Sequence, residues 1–306
     1  MNTCFIVNPV SAGGSTGKKW PKIEALLRKL YAFDFELAFT ERPLHAVELT
    51  REANRRGVQR IVGVGGDGTL NEILNGFFEK DVPVNPTASL GILELGTGAD
   101  FAKTLGPQPT VEQAILHMND VQPKLIDVGK AEFISFANKP DTRYFLNILD
   151  FGLGGAVVER VNRTTKKFGG KISFLIGILA TLLTFKNKSI RYRLDDGDWQ
   201  SGIFNDVIVA NGRYFGGGLL PAPGALLDDG LFDVVFLGDV GRVEAVLNLS
   251  KLRKGRHFEN PKVSLSRARK IEAQSEEDIF VDMDGELVGK LPLKVLILPQ
   301  KLRILA

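Results

Sequence analysis

The sequence predicts an α/β domain, a parallel sheet with helices on both faces, followed by a mostly antiparallel, β-sandwich-like domain. Three observations carry this expectation. Over residues 1–128, short apolar runs rich in β-branched residues alternate with amphipathic stretches, the βαβα order of a parallel sheet covered by helices. Every glycine-rich loop in that half, Ala12–Gly17, Gly65–Gly68 and Gly96–Gly98, follows a predicted strand. After Leu125 the pattern changes to short strand-like runs separated by turn residues. The expected division is 1–128 and 129–306, with the C-terminal residues free to return to the first domain.

In order, Thr3–Val7 is the first strand, followed by a glycine-rich loop and a helix from about Lys18 to Leu30. Phe33–Thr40 is a second strand, Val47–Arg56 a second helix and Ile61–Val64 a third strand. A helix through Asn75 and Phe78 comes next, then the strand Leu90–Leu95, a glycine-rich turn and a helix from Val111 to about Met118. In the second half, strands are predicted at Tyr144–Ile148, Ile190–Leu194, Asn205–Ala210, Phe232–Leu237, Val263–Leu265, Ile279–Val281 and Lys294–Leu298. Asp196-Gly197 marks a tight hairpin, and helical patches fall at Gly154–Arg163, Lys171–Phe185 and Val243–Lys254.

Composition narrows the function classes. The 306 residues are 44% hydrophobic and 25% charged, ordinary for a globular protein. A net charge of +3 is too small to imply nucleic-acid binding. One cysteine, Cys4, excludes an internal disulfide and suits a reducing, cytoplasmic setting. Three scattered histidines offer no zinc constellation. The N-terminus lacks a basic leader and does not read as a signal peptide. The longest apolar run, Phe174–Phe185, would extend about 18 Å as a helix against roughly 30 Å of bilayer core.

The most informative segment is Gly65-Gly66-Asp67-Gly68-Thr69, between the third strand and the Leu70-Asn71-Glu72-Ile73-Leu74 helix. Glycines at a strand-to-helix junction let a ligand approach the backbone, and the helix start favours phosphate. Asp67 would repel phosphate unless a cation sits between them, so the loop suggests metal-nucleotide chemistry. The plainer reading is a glycine turn with a helix-capping aspartate.

The neighbouring motifs add specificity. Asn8-Pro9 and Gly13-Gly14 follow strand one, and Leu95-Gly96-Thr97-Gly98-Ala99-Asp100 follows the fourth strand. Later come Asn211-Gly212, Gly216-Gly217-Gly218, Pro221-Ala222-Pro223, then Asp228-Asp229-Gly230-Leu231-Phe232-Asp233, and finally Asp284-Gly285-Glu286. In this order and spacing the chain resembles the diacylglycerol kinase catalytic-domain family. These soluble lipid kinases include sphingosine and ceramide kinases, and the small bacterial members, of two catalytic domains alone, are most similar. The resemblance covers almost the whole chain.

That resemblance implies an ATP- and Mg²⁺-dependent enzyme of lipid metabolism that phosphorylates a lipid hydroxyl, diacylglycerol-like in phospholipid biosynthesis. By motif, Asn8, Thr40, Gly65, Gly66, Asp67, Gly68, Thr69, Leu70, Asn71 and Thr97 contact the nucleotide. Asp229 matches the metal ligand, with backbone carbonyls of Leu226 and Leu231, while Asp67 and Asp100 reach the metal through water. Mg²⁺ takes one or two carboxylates and keeps several waters, as this set would allow. Asp284 is the candidate general base for the acceptor hydroxyl, with Glu286 as orienter or alternative base. Taken alone, Met-Asp-Gly-Glu-Leu is an ordinary hairpin turn, and the Asp-Asp-Gly run an ordinary turn before a strand. Two positions depart from the family: Glu94 where Pro is usual, and Ala99 where Asn is usual. They point to altered nucleotide or substrate preference.

Basic residues bracket the apolar segment, Arg163, Lys166, Lys167 and Lys171 before it and Lys186, Lys188, Arg191 and Arg193 after it. It reads either as a buried helix or as a wall for lipid, with peripheral contact to the inner membrane face. A second basic cluster, Lys251, Arg253, Lys254, Arg256, Arg267, Arg269 and Lys270, reads as a lipid contact or a solvated face. A homodimer is compatible with the chain. The competing functions are an NAD kinase, whose superfamily shares the Gly-Gly-Asp-Gly-Thr loop, and a non-catalytic nucleotide or lipid sensor.

Overall fold

The computed structural model describes residues 2–96, 98–168 and 180–306, with backbone only for 162–168. It divides into two compact units, Met1–Val128 with Leu298–Ala306, and Gly129–Ile297. None of the described helices is long and apolar enough to cross a membrane.

In the first unit the order is β1 (Thr3–Val7), α1 (Ser15–Leu30), β2 (Phe35–Phe39), α2 (His45–Arg55), β3 (Arg60–Gly65) and α3 (Asp67–Phe77). A two-residue ribbon, β4 (Phe78–Glu79) with β5 (Val82–Pro83), precedes β6 (Ser89–Glu94), α4 (Asp100–Leu105) and α5 (Val111–Asp120). β2, β1, β3 and β6 pair in that order, all parallel, with Val7 opposite both Phe39 and Val64, and Gly65 opposite Glu94. The carboxyl ends of these strands are thus level, as ligand binding at a parallel sheet requires. Ile304 closes the far edge, parallel to Leu90.

Helix α1 turns Trp20, Ile23 and Leu27 inward at spacings of three and four, joining Phe5, Val62, Val64 and the α5 residues Ile115 and Met118. A capping box starts α5, with Thr110 accepting from the Gln113 N–H and Gln113 accepting from the Thr110 N–H. Helix α3 lies against β3 at Gly63, where a Cβ would stand 2.8 Å from Ile73 Cδ1.

The second unit holds β7 (Lys124–Ser135, mostly), β8 (Pro140–Phe145), β9 (Ile148–Gly152), α6 (Leu153–Phe168), β10 (Lys188–Leu194), β11 (Gln200–Phe204), β12 (Asp206–Ala210) and β13 (Phe232–Leu237). α7 (Arg242–Arg253), β14 (Val263–Ala268), β15 (Lys270–Gln274), β16 (Phe280–Met283) and β17 (Glu286–Ile304), which passes into the first unit from Leu298, follow. Pairing within the unit is antiparallel. Val207 and Val209, Phe232, Val234 and Phe236, and Leu291, Leu293, Val295 and Ile297 alternate into one core, the period of two that half-buried strands impose. Tyr192 meets Phe236 at 4.6 Å between ring centroids.

Three sequence expectations need correction. The single strand Tyr144–Ile148 is two, Pro140–Phe145 and Ile148–Gly152. It breaks at Leu146-Asn147 because their N–H groups donate to the Asp284 carboxylate. Lys294–Leu298 is a fragment of the 19-residue β17, hidden by lysines on its outward positions. The segments Lys124–Ser135, Gln200–Phe204 and Lys270–Gln274 are strands that polar residues masked. Most of the expected helix Lys171–Phe185 lies outside the described residues.

Candidate active-site residues

In the first unit the loops after β1, β3 and β6 gather at one edge of the sheet. Asn8 Nδ2 donates to Thr69 Oγ1 at 2.8 Å, tying the first loop to the start of α3. Asn8 also accepts from the Val10 N–H through Oδ1. The Thr40 N–H donates to Val7 O, which places this buried threonine beside the same strand end. Ala12, Gly13 and Gly14 all have positive φ, with open space where a Cβ at either glycine would stand.

Gly65 and Gly66 have different reasons to be glycine. A Cβ on Gly65 would fall 2.6 Å from Thr69 Oγ1. Gly66 is extended, φ −120°, so its backbone needs no left-handed freedom; a Cβ there would meet Gly96 Cα at 3.4 Å. Leu70 and Asn71 are buried, and Asn71 accepts from Asn75 Nδ2. Thr97 lies outside the described residues.

Asp67 caps the next loop as well as beginning its own helix. Its carboxylate accepts from the N–H groups of Asp100 and Phe101, at 3.3 and 3.2 Å. Burial is the main cause of its raised pKa, and these two bonds oppose the rise. Asp100 is buried and bridged at 2.8 Å by Lys103, whose Nζ also donates to Gly98 O. Glu94, one of the two departures, turns into this group and accepts from the Gly96 N–H at 2.6 Å. Burial first, then the charge of Asp67, pushes its carboxyl up to about 7.

In the second unit, Asp284 and Gly285 have φ of 51° and 86°, the two positive values of a type I′ turn closing β16 onto β17. Met283 pairs with Glu286 across it. The strand pleat therefore does not relate Asp284 to Glu286, because Asp284 belongs to the turn. Glu286 is exposed, whereas the Asp284 carboxylate accepts three backbone N–H groups, from Leu146, Asn147 and Ile148, each at 3.1 Å. The same stretch is laced to the loop after β12, for Asn211 and Gly212 donate to Asn147 O and Asn147 Nδ2 donates to Tyr214 O.

Asp229 Oδ1 accepts from the Leu231 N–H at 3.0 Å, and Oδ2 accepts from Arg267. Arg267 Nε donates to buried Asp233 at 3.1 Å. Leu226 is exposed on the preceding loop. Among the described residues no three His, Cys, Asp or Glu side chains form a metal cage, so a cation here would need backbone oxygens or water beside its carboxylates. A site where two carboxylates already hold a cationic side chain has the charge for such an ion.

The sequence named Asp229 but not its partnership with Arg267, which depends on the long-range register placing Asp233 opposite Arg267. No local pattern announces that pairing. Much of the second basic cluster is neutralised within the chain: Lys251 and Arg256 pair with Glu259, and Lys270 with Asp196. Around the apolar segment, Lys188 pairs with Glu277 and Arg193 with Glu272, and Arg191 covers the Trp199 ring. The side chains of Arg163, Lys166, Lys167 and Lys171 lie outside the described residues.

Comparison with known proteins matches the diacylglycerol kinase catalytic domain over residues 2–131 and the YegS C-terminal NAD kinase beta sandwich-like domain over 147–306. A Staphylococcus saprophyticus diacylglycerol kinase is 28% identical over 300 residues, covering 98% of this chain and 93% of its own. An Escherichia fergusonii protein named "Probable lipid kinase YegS" is 30% identical, covering 84% and 81%. The crystal structure of a candidate diacylglycerol kinase from Bacillus anthracis superposes with TM-score 0.77 at 26% identity, covering 99% and 94%.

Proposed function

Because this chain belongs to the family of diacylglycerol kinase catalytic-domain and YegS-type lipid kinases, phosphotransferases acting on an alcohol group, we propose that it transfers the γ-phosphoryl group of ATP to the hydroxyl of a diacylglycerol-like lipid in a Mg²⁺-dependent reaction. The observation that carries the nucleotide part is the level edge where the loops after β1, β3 and β6 converge, joined by the Asn8–Thr69 bond. The open space beside Gly13 and Gly14 and the bare backbone of Gly66 suit a phosphate chain. Asn8, Thr40, Gly65–Thr69 and Thr97 form the proposed nucleotide set, Leu70 and Asn71 contributing through the backbone.

Mg²⁺ at Asp229, with carbonyls of Leu226 and Leu231, would supply neutralisation of the charge on the transferring phosphoryl oxygens. Asp67 and Asp100 are proposed to reach that ion through water. Asp284 is proposed to take the acceptor's proton. Its three backbone N–H bonds hold the carboxylate in one orientation, as a positioned base requires. A weak base suffices where the attacking oxygen's proton leaves late, as in a loose phosphoryl-transfer transition state. Glu286, exposed and two residues on, is the alternative. Contact with lipid is proposed to be peripheral.

The reading is tested by incubating the full chain with γ-labelled ATP, Mg²⁺ and a lipid extract. Label must appear in an extractable lipid identified by mass. A chain that binds ATP yet labels no lipid would count against the acceptor class.

A further inference from the structure

The guanidinium of Arg267 forks across two carboxylates. Nε donates to Asp233, whose side chain is 4% exposed, and an outer nitrogen donates to Asp229. Asp233 sits on β13 directly opposite Arg267 on β14, so the register fixes the base of the fork. The arm to Asp229 is the freer one, because it reaches a loop and Arg267 is 44% exposed. Asp229's other oxygen is held by the Leu231 N–H. Both oxygens are therefore engaged within the chain, one by a neutral donor and one by a full positive charge.

A divalent ion taking Asp229 as ligand must displace that charge from Oδ2, while the Leu231 bond keeps the carboxylate aimed. The Arg267–Asp233 bond can persist, so the guanidinium need only swing aside. Resting on the reading of Asp229 as the metal ligand, we propose that Arg267 is a positioning residue that occupies the cation's place at Asp229 and sets the divalent-ion concentration at which the site fills. It keeps the ligand ordered and neutralised when no metal is bound. A hydrogen bond between two charged groups is among the stronger polar contacts, so its loss to an incoming ion lowers that ion's affinity.

The test uses Mn²⁺ alone, which accepts the same oxygen ligands as Mg²⁺, titrated into the full chain without nucleotide and followed by loss of the free-ion paramagnetic resonance signal. Arg267→Gln is expected to bind Mn²⁺ about tenfold more tightly, the competition being gone. Arg267→Lys, keeping the charge but not the fork, is expected to fall between it and the parent. Thermal melts of both variants check that the exposed substitution leaves the fold intact. If Arg267→Gln binds no more tightly than the parent while Asp229→Asn abolishes binding, the metal site stands and the inference about Arg267 is wrong. If Asp229→Asn binds as the parent does, Asp229 is not a ligand and the pair is an ordinary ion pair.

Discussion

At the scale of single residues, the account turns on carboxylates whose surroundings assign them different tasks. Asp284 is both a turn residue and the acceptor of three backbone N–H groups. Asp284→Asn keeps two of those acceptances at best and sets an amide against the third donor. The substitution is expected to slow turnover by two to four orders of magnitude and also to lower stability by about 1–3 kcal/mol. Glu286→Gln, on an exposed side chain, should leave the melting temperature unchanged and cost less in turnover. Turnover and melts measured together separate the roles; the reverse ranking at matched stability would make Glu286 the base. Gly66→Val should abolish ATP binding while the second unit stays folded. Its backbone φ of −120° accommodates valine, so the effect comes from bulk pressed against Gly96 and Glu94, at the edge of the proposed phosphate path. Unchanged ATP affinity by calorimetry would move that path elsewhere.

At the scale of elements, the strands of the second unit carry an acidic knot that no motif predicts. Asp150 on β9 lies directly opposite Asp282 on β16, and Asp206 on β12 is one pleat further along. All three are buried, each with a carboxylate oxygen that no donor among the described residues satisfies. Burial, then the neighbouring charges, raises Asp150 and Asp282 well above the carboxylate range; burial pushes Asp206 up to about 8. Unfolded aspartates titrate near pH 4. Groups raised in the folded chain stabilise it fully in acid, and that stability is lost as pH rises through their folded values. The melting temperature is therefore expected to fall between about pH 4 and pH 8. Asp206→Asn should flatten this decline and stabilise the chain at pH 8 by roughly 2 kcal/mol. A melting temperature that rises from pH 5 to pH 8 in the parent, or an unaltered slope in the variant, would contradict it. The knot was illegible beforehand because its members stand in three separate apolar runs, and only the register brings them together. The break at Leu146-Asn147 was hidden for the same reason, its cause being a carboxylate more than a hundred residues away.

At the scale of the whole molecule, the fold class was legible because it rests on local periodicities: alternating strands and helices in one half, period-two strands in the other. The glycine-rich loops were legible as a group because each follows a strand, and a parallel sheet places such loops along one edge. What could not be read was the partnership of each acid. Asp67 capping α4, Glu94 holding the Gly96 N–H and Arg267 holding Asp229 all join residues that are close only after the sheets form. The central claim remains the reaction itself. The most direct measurement is transfer from γ-labelled ATP to diacylglycerol in vesicles by the full chain, with the Asp229→Ala variant and a chelated sample beside it. The account predicts labelled lipid phosphate from the parent, none under chelation, and none from a variant that melts like the parent. Labelled NADP from added NAD in place of lipid phosphate, or undiminished lipid labelling by Asp229→Ala, would contradict it.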